Sequence, residues 1–347
     1  MEIVVAKNKE SWNNFVKAHY PPVGAFMQTW EWGEFQAALG RKTERYEVRE
    51  KDDVCAIFTL VHHALPLGLS YGYVPRGPVV SSSAIKEGKH IAILTAIKTW
   101  AKKTFPKFTF LRLEPHFDSI PSGLVSNGFR IPAYYIQPRF NSVVEIKDSD
   151  EEILAGFHPS TRSNIRRAEN RGVTVEVKNR ITQEEYRHFS EMAKDTIKRN
   201  SGKNAYPDHK YFEALFKRIP SLISSRPTAD LSMSAFYGYQ DGVPAGAHFV
   251  LFFGDTATYL YGASYSDKLR SKVTTYLHWA GMQEARRRKM SYYDLGGVDE
   301  VKWPTLTTFK RQFRGKEFAY MGNLDISLRP VWHRIYETLR ALKKREI

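Results

Sequence analysis

SYYDLGGVDEVKWPTLTTFKRQFRG, residues 291–315, is the stretch from which the chain is best interpreted. A short strand pattern at 292–295 contains Asp294 and ends at Gly296-Gly297. Paired glycines permit a positive φ or a close backbone approach, so we expect a ligand to dock where this strand ends. Asp294 is therefore a candidate substrate-binding residue, with turn capping as the alternative role.

An aromatic and basic cluster, TFKRQF at 308–313, closes the same stretch. Phe309 and Phe313 are four residues apart, which places them on one helical face and directs Lys310 elsewhere. The pattern predicts an anchored segment that holds one cation over a cleft. The alternative is that Lys310 and Arg311 are solvated neighbours of two core phenylalanines.

The order of predicted elements occurs twice along the chain. From about residue 147 it starts over, with a hairpin, a third strand, a long helix and a further strand. The patterns lie at 54–64, 69–74, 85–103 and 108–114 in the first half, and at 231–239, 243–253, 256–263, 272–289 and 292–295 in the second. Two copies of one α/β unit would leave a cleft between or across them.

This order is typical of an acetyltransferase-like (GNAT) fold. Such a fold binds acyl-CoA pyrophosphate with a glycine-containing loop at a helix N-terminus, where backbone N–H groups face the phosphates. The matching segment, 264–273, has no glycine. An acyl-CoA enzyme is therefore disfavoured.

Charge and composition narrow the class of protein further. The chain has 347 residues, 42% of them hydrophobic, and carries 52 Lys and Arg against 37 Asp and Glu, a formal charge of +15. The length and hydrophobic content are sufficient for two hydrophobic cores. The positive net charge makes polyanions the expected partners, although a basic protein without such a partner can have the same composition. The longest apolar run, 245–253, is too short to cross a bilayer, no export signal is evident, and the single Cys55 allows no internal disulfide. We expect a cytoplasmic protein.

Motifs of several enzyme classes are missing. The chain has no G-x-S-x-G, Walker loop, G-x-G-x-x-G or H-E-x-x-H. His62 and His63 are adjacent on a strand and point to opposite faces, so they cannot clamp one metal ion. Hydrolase, kinase, dehydrogenase and zinc-enzyme interpretations are disfavoured, and no metal site is predicted.

Arginines are concentrated at 158–172, which predicts a helix capped by Ser160 and stopped by Gly172. The i,i+4 spacing aligns Arg162 with Arg166 and Arg167 with Arg171, giving two ridges. Arginine's planar fork binds phosphate oxygens in pairs, so these four residues are candidates for tRNA or phosphate binding. A solvated helix face is the alternative.

Other candidate residues are tyrosines, a carboxylate and a turn arginine. Strand alternation predicts Tyr259 and Tyr261 on one face, with hydroxyls available to a ligand, unless they are core tyrosines. The turn Pro75-Arg76-Gly77-Pro78 is predicted to expose Arg76. Glu114 ends a predicted strand and is the candidate general base.

With these residues assembled, the chain resembles the FemABX family of peptidoglycan bridge-forming aminoacyltransferases, in its compact, FemX-like form. The resemblance covers nearly the whole chain and implies two tandem GNAT-like domains, 1–147 with a returning helix at 325–347, and 148–324. It rests on six segments in order: 28–32, 73–79, 111–115, 158–172, 293–297 and 309–310.

The resemblance also implies chemistry. An amino acid would move from aminoacyl-tRNA, as co-substrate and without a cofactor, to the stem-peptide amine of UDP-MurNAc-pentapeptide or lipid II. Lys310 after Phe309 matches the family's oxyanion-stabilising lysine, and Tyr211 and Tyr261 match tyrosines that hold the precursor. We also expect a monomer in the cytoplasm, in peripheral contact with the inner face of the plasma membrane.

Two positions depart from the family pattern. Gln36 and Pro207 stand where compact members have a lysine and an arginine. Arg76 or the arginine helix would then bind the phosphates, or the acceptor would be the lipid-linked precursor. The competing interpretations are a GNAT-like N-acyltransferase with another acyl donor, and a non-catalytic basic RNA-binding protein.

Overall fold

The computed structural model describes residues 1–21, 23–117, 121–132, 134–200, 206–219 and 230–345, with side chains described up to residue 342. The chain divides into two compact units. The first consists of Met1–Pro21, Met27–Arg139 and Ala319–Ile347, and the second of Pro22–Phe26 and Phe140–Phe318. Within the described residues, no helix combines the length and the apolar character that crossing a membrane requires.

The segment up to residue 139 contains seven strands and four α-helices among its described residues. In chain order they are β1 (Glu2–Val5), α1 (Lys9–His19), α2 (Trp30–Ala38), β2 (Thr43–Glu50), β3 (Asp53–Ala64), β4 (Ser70–Val74), β5 (Val79–Val80), α3 (Ser82–Lys86), α4 (His90–Thr104), β6 (Phe108–Leu113) and β7 (Phe129–Arg130).

The remaining elements belong mostly to the second unit. They are β8 (Phe140–Glu145), α5 (Asp150–Gly156), α6 (Pro159–Asn170), β9 (Val173–Lys178), α7 (Gln183–Arg199), α8 (His209–Arg218), β10 (Ser232–Gln240), β11 (Val243–Phe253), β12 (Thr256–Ser264), α9 (Val273–Arg287), β13 (Tyr292–Val298), α10 (Pro304–Arg311) and β14 (Lys316–Ala319). The chain then returns to the first unit with β15 (Leu324–Ser327) and α11 (Pro330–Arg345).

The first unit is built on one mixed sheet. Its strands are ordered β1-β2-β3-β4-β6-β15-β7, and β5 also pairs with β3. β4 and β6 are parallel, because α3 and α4 carry the chain back between them. Helix α4 buries Ile93, Leu94, Ile97 and Ala101, the i, i+1, i+4, i+8 pattern of a helix that lies on a sheet.

The second unit repeats this plan. Its sheet is ordered β14-β8-β13-β12-β11-β10-β9, and β12 and β13 are parallel with α9 between them in the sequence. α9 packs on the sheet through residues that include Val273, Leu277 and Met282. The predicted duplication of hairpin, third strand, helix and strand is therefore confirmed.

One strand of the first unit has no counterpart among the sequence patterns. Strand β2 was not predicted, because its sequence TERYEVRE is dominated by charged residues. Its inward-facing Tyr46 and Val48 are nevertheless buried, and pairing with β1 and β3 on either side stabilises the strand.

Candidate active site

Lys310 lies near the end of α10, and its side chain turns inward. The helix starts with Pro304 at its first position, where the missing N–H of proline costs nothing. Lys310 is only 4% exposed, and its Nζ donates a hydrogen bond to the carbonyl oxygen of Gly297 at 2.7 Å. The ammonium group is thus fixed against the end of β13, the strand end at which the sequence predicted a docking site.

A bend in β13 creates the place that the ammonium occupies. Gly296 has φ +81, and the pairing of β13 with β8 shifts register between Asp294 and Gly297. A Cβ at Gly296 would lie 3.4 Å from Lys310 Nζ. The left-handed conformation and the close approach both favour glycine here.

A buried carboxylate holds the bend. Asp294 is fully buried and accepts hydrogen bonds from the backbone N–H of Gly296 at 2.7 Å and from Asn141 Nδ2 at 2.9 Å. Through its hydrogen bond to the Gly296 N–H, Asp294 caps the turn, which is the alternative role given for it above. Asn141 was missed by sequence reasoning, because it is 153 residues away in the chain.

The surroundings of Lys310 set its protonation. Burial lowers the pKa of Lys310 to about 8, and the negative charge of Asp294 offsets part of that effect. The ammonium is therefore mostly protonated at neutral pH. Gly297 accepts one of its three N–H bonds, so the group retains donors for an oxygen that develops negative charge.

Aromatic rings support this segment from below. Phe309 and Phe313 meet edge to face with centroids 5.5 Å apart, and His278 of α9 lies 5.7 Å and 5.4 Å from them. Burial lowers the pKa of His278 well below its usual range, so the imidazole is neutral. The predicted anchor by two phenylalanines is present, although Phe313 lies just beyond the helix end.

Arg311 behaves differently from its neighbour. It is exposed, and its guanidinium pairs with Glu300 and Glu317. The alternative of solvated cations therefore describes Arg311 and fails for Lys310.

The structure brings Tyr211 and Tyr261 together. Tyr261 of β12 donates its hydroxyl to that of Tyr211 of α8 at 3.1 Å, and the two rings are nearly perpendicular. Both are half-buried, and Tyr206 close by donates to the carbonyl of Gly262 at 2.7 Å. Pro207 precedes Asp208, the N-cap residue of α8. Two phenol groups therefore meet between α8 and β12.

The predicted common face for Tyr259 and Tyr261 is wrong. The pairing of β11 with β12 shifts between Phe249 and Val250, which leaves Leu260 as a bulge residue. A bulge inserts one residue and reverses the alternation of side chains. Tyr259 accordingly packs on His278 of α9, whereas Tyr261 packs on Phe212 of α8.

Arg76 is buried rather than exposed, contrary to the prediction from its turn. It is 4% exposed, its guanidinium lies 3.5 Å from the ring centre of Tyr320, and its Nη2 donates to the carbonyl of Pro138 at 2.8 Å. These partners are distant in sequence, so the turn motif gave no sign of them. The burial cost is offset by the ring face and by nearby Glu114.

Glu114 lies in the same part of the first unit. Its carboxylate accepts hydrogen bonds from the hydroxyl of Tyr73 at 2.8 Å, from the backbone N–H of Arg76 at 3.1 Å and from that of Gln137 at 3.3 Å. Burial raises the pKa of Glu114, against the opposing effects of Arg76 and Tyr73. A carboxylate with a raised pKa accepts a proton more readily than an ordinary carboxylate, which is compatible with the predicted base.

Gln36 is buried in the last turn of α2. Its side-chain oxygen accepts a hydrogen bond from Arg41 Nη1. An arginine cation therefore lies at the position where the resemblance implies a lysine. Sequence reasoning missed Arg41, because α2 ends between the two residues and the helical pattern does not relate them.

The arginine helix forms as predicted but with different caps and partners. His158, not Ser160, is the N-cap residue, and its Nδ1 accepts from the backbone N–H of Ser160. Arg162 donates to the carbonyls of Ala155 and Phe157, which satisfies the end of α5.

The other three arginines of the segment, Arg166, Arg167 and the C-cap residue Arg171, are exposed, and among the described residues only Arg171 has a side-chain partner that decides its orientation. Arg171 donates to the carbonyl of Arg270. The two predicted ridges therefore do not form, and Arg166 and Arg167 are the exposed arginines of α6 whose guanidinium groups are not engaged by another described residue.

A buried ion pair in the first unit was also missed. Arg112 donates to the Asp325 carboxylate from Nε at 2.7 Å and from Nη2 at 2.5 Å, and His333 donates to it from Nε2 at 3.1 Å. One potential ligand atom from each of Asp325, His333 and Glu337 lies within 4.8 Å of the others, a spacing that a metal site could also have. The guanidinium already neutralises Asp325, so the cluster is a structural ion pair that fixes α11 to the sheet.

Comparisons with known proteins agree with this architecture. A model of the FemAB family matches residues 8–118, and a model of an acetyltransferase (GNAT) domain matches residues 159–311. A lipid II:glycine glycyltransferase of Staphylococcus haemolyticus (strain JCSC1435) is 24% identical, over 100% of this chain and 98% of that protein.

Solved structures show the same fold. The crystal structure of FemX superposes with a TM-score of 0.79 at 22% identity, over 97% of this chain and 100% of that one. A tandem GNAT protein from the clavulanic acid biosynthesis pathway gives a TM-score of 0.57 at 13% identity, over 94% and 98%. The predicted fold class, α/β with two tandem GNAT-like domains, is confirmed. The chain is thus similar to the FemAB family over residues 8–118 and to FemX in its fold.

Proposed function

We propose that the chain is an aminoacyltransferase that moves an amino acid from aminoacyl-tRNA to the stem-peptide amine of a peptidoglycan precursor. The observation that carries this proposal is the buried ammonium of Lys310, fixed by the carbonyl of Gly297 at the bent end of β13. A cation in that setting suits a reaction in which an oxygen becomes negatively charged. The class of reaction is taken from the similarity to the FemAB family and to a lipid II:glycine glycyltransferase.

In the proposed reaction, the acceptor amine attacks the ester carbonyl that links the amino acid to the tRNA ribose. A C–N bond forms and the carbonyl oxygen becomes an oxyanion. The Lys310 ammonium donates to this oxygen, and removal of such a donor commonly costs about 10²–10³ in rate. The tetrahedral intermediate then collapses, the C–O bond to the ribose breaks, and a new amide remains on the acceptor.

One proton must leave the amine during this sequence. The departing ribose oxygen can take it, so a protein base is optional. Glu114 is the candidate base, because its carboxyl is buried and has a raised pKa.

The donor end is assigned to tRNA on electrostatic grounds. The chain carries a formal charge of +15, and Arg166 and Arg167 are exposed on α6. Arginine pairs with phosphate oxygens in a bidentate manner. Binding of tRNA should therefore weaken as salt concentration rises.

The acceptor end is assigned to the tyrosine pair and to Arg41. The hydroxyls of Tyr211 and Tyr261 can bind the sugar part of a precursor. Arg41, beside Gln36, supplies a cation for its phosphates. Because the relative named above is a lipid II:glycine glycyltransferase, lipid II and glycyl-tRNA are the first acceptor and donor to assay, with UDP-MurNAc-pentapeptide as the alternative acceptor. The proposed location is the cytoplasm, including the inner face of the plasma membrane, and the proposed state is a monomer.

A specific contact argues against the competing acyl-CoA enzyme. In the glycine-free loop before α9, the Asp195 carboxylate accepts from the backbone N–H of Ser266 at 2.6 Å and from its hydroxyl at 3.0 Å. A carboxylate at this loop repels pyrophosphate and occupies an N–H that could bind it.

One experiment tests the proposal. Purified protein is mixed with a charged tRNA pool and with lipid II or UDP-MurNAc-pentapeptide, and the acceptor is analysed by mass spectrometry. Addition of one amino-acid residue by the wild type, and its loss in Lys310→Ala, is the expected result. An unmodified acceptor in the presence of every charged tRNA would refute the proposal, and acylation from acyl-CoA instead would favour the competing enzyme.

A further inference from the structure

Helix α11 turns an apolar surface outward. Val331, Ile335, Leu339 and Leu342 follow one another at intervals of four, four and three residues, so they form a single stripe along the helix. They are 71%, 41%, 58% and 53% exposed. A surface helix normally turns its apolar stripe toward the core. In α11 the apolar stripe instead lies on the side of the helix that faces away from the core.

The opposite face of α11 explains this inversion. His333 is fully buried, stacks on Phe110 with ring centroids 4.5 Å apart, and donates to Asp325. Tyr336 packs on the same Phe110 ring at 5.0 Å. The helix is therefore held to the sheet by rings and a buried ion pair, and its aliphatic side chains are not needed for that attachment.

Basic residues accompany the apolar stripe. Arg334 lies beside it and is exposed, and the sequence continues after Leu342 with Lys343-Lys344-Arg345. Glu337 is the sole acidic residue of the helix, and it is turned toward His333 and Arg130. An apolar stripe with a cationic border is the arrangement of helices that lie in the interface of an anionic membrane.

We infer that α11 is a membrane-docking helix, which inserts the stripe formed by Val331, Ile335, Leu339 and Leu342 into the headgroup region of an anionic bilayer. A second copy of the chain is a poorer occupant, because two such helices would bring their cations together without acidic partners. The inference deepens the proposed function, since it names the surface by which the chain reaches a lipid-linked acceptor. Only the role of that acceptor rests on the proposed function; membrane binding by α11 is argued from the helix itself.

Flotation with lipid vesicles tests the inference. The wild type should float with vesicles of phosphatidylglycerol and phosphatidylcholine in equal parts, and less with vesicles of phosphatidylcholine alone. Ile335→Ser combined with Leu339→Ser should lower the partition coefficient by about tenfold or more, because the double variant lacks two aliphatic side chains that the wild type buries in the bilayer. Arg334→Gln should weaken binding to the anionic vesicles, and its effect should shrink at high salt.

The matched control is Leu67→Ser combined with Val125→Ser. These residues are 83% and 70% exposed in the same unit but lie outside α11. The control should float like the wild type. The inference is overturned if the wild type does not float, if the stripe variant floats equally well, or if the wild type is a dimer that the stripe variant makes monomeric.

A transfer assay separates failure of this inference from failure of the proposed function. The stripe variant should modify the water-soluble UDP-linked precursor at the wild-type rate and lose activity on lipid II embedded in vesicles. Equal activity of the two proteins on embedded lipid II would overturn the inference. If the wild type transfers to neither acceptor, the proposed function fails, and flotation alone then decides the inference.

Discussion

Replacement of Lys310 by methionine should reveal the energetic cost of the buried ammonium. Burial lowers the pKa of Lys310 to about 8, compared with 10.5 for an unperturbed lysine. The folded protein therefore binds fewer protons than the unfolded chain between these two values, and stability rises with pH across that window. Below about pH 8 the full penalty is present, and the pKa difference makes it about 3 kcal/mol.

The predicted quantity is the free energy of unfolding of the wild type minus that of Lys310→Met. It should increase by about 2 kcal/mol between about pH 7 and pH 9.5, because the wild type loses the larger part of its penalty while the variant has none. Urea denaturation followed by circular dichroism measures it. Titration of groups that do not interact with Lys310 cancels in the difference.

The control is Lys194→Met, which removes an exposed lysine from α7 of the same unit. Its difference from the wild type should not change over this pH range. A flat difference for Lys310→Met would mean that the ammonium is solvated in the folded protein, and the assignment of a buried cation would have to be given up.

Three further predictions concern other parts of the chain. Replacement of both Arg166 and Arg167 by glutamine should reduce the slope of log affinity for tRNA against log salt by about 1.5, as measured by filter binding. Arg112→Met should destabilise the protein by about 3–5 kcal/mol in urea titrations, because Asp325 keeps a buried and unpaired charge, whereas a neutral change would show that the pair is dispensable. Tyr261→Phe should raise KM for the acceptor about threefold to tenfold with kcat preserved, and an unchanged KM would remove its hydroxyl from the site.

Much of the fold followed from periodicity. The strands at β10 to β13 and the long helix α9 were predicted within a few residues, because their patterns are long and their flanking turns are clear. Strand β2 was not predicted, because its alternating charged residues are typical of a solvated segment. Pairing on both edges stabilises it, and single-sequence patterns do not report such partners.

The site was predictable in its parts and not in its geometry. The sequence indicated Lys310 and the glycines of β13, since aromatic anchors and paired glycines are local signals. The contacts that position these residues involve side chains distant in sequence. Asn141, for example, donates a hydrogen bond to Asp294, which holds the bend of β13. The bulge at Leu260 and the burial of Arg76 likewise depend on residues distant in sequence, so alternation and turn rules gave the wrong face and the wrong exposure.

The most direct test of the proposed chemistry is the single-turnover rate of amino-acid transfer by Lys310→Met, with aminoacyl-tRNA and acceptor both saturating. Saturation separates binding from chemistry, so the rate reports stabilisation of the oxyanion. We predict a rate about 10²–10³ below that of the wild type, with unchanged affinity for tRNA. A folded Lys310→Met protein that transfers at the wild-type rate would contradict the central role assigned to this buried ammonium.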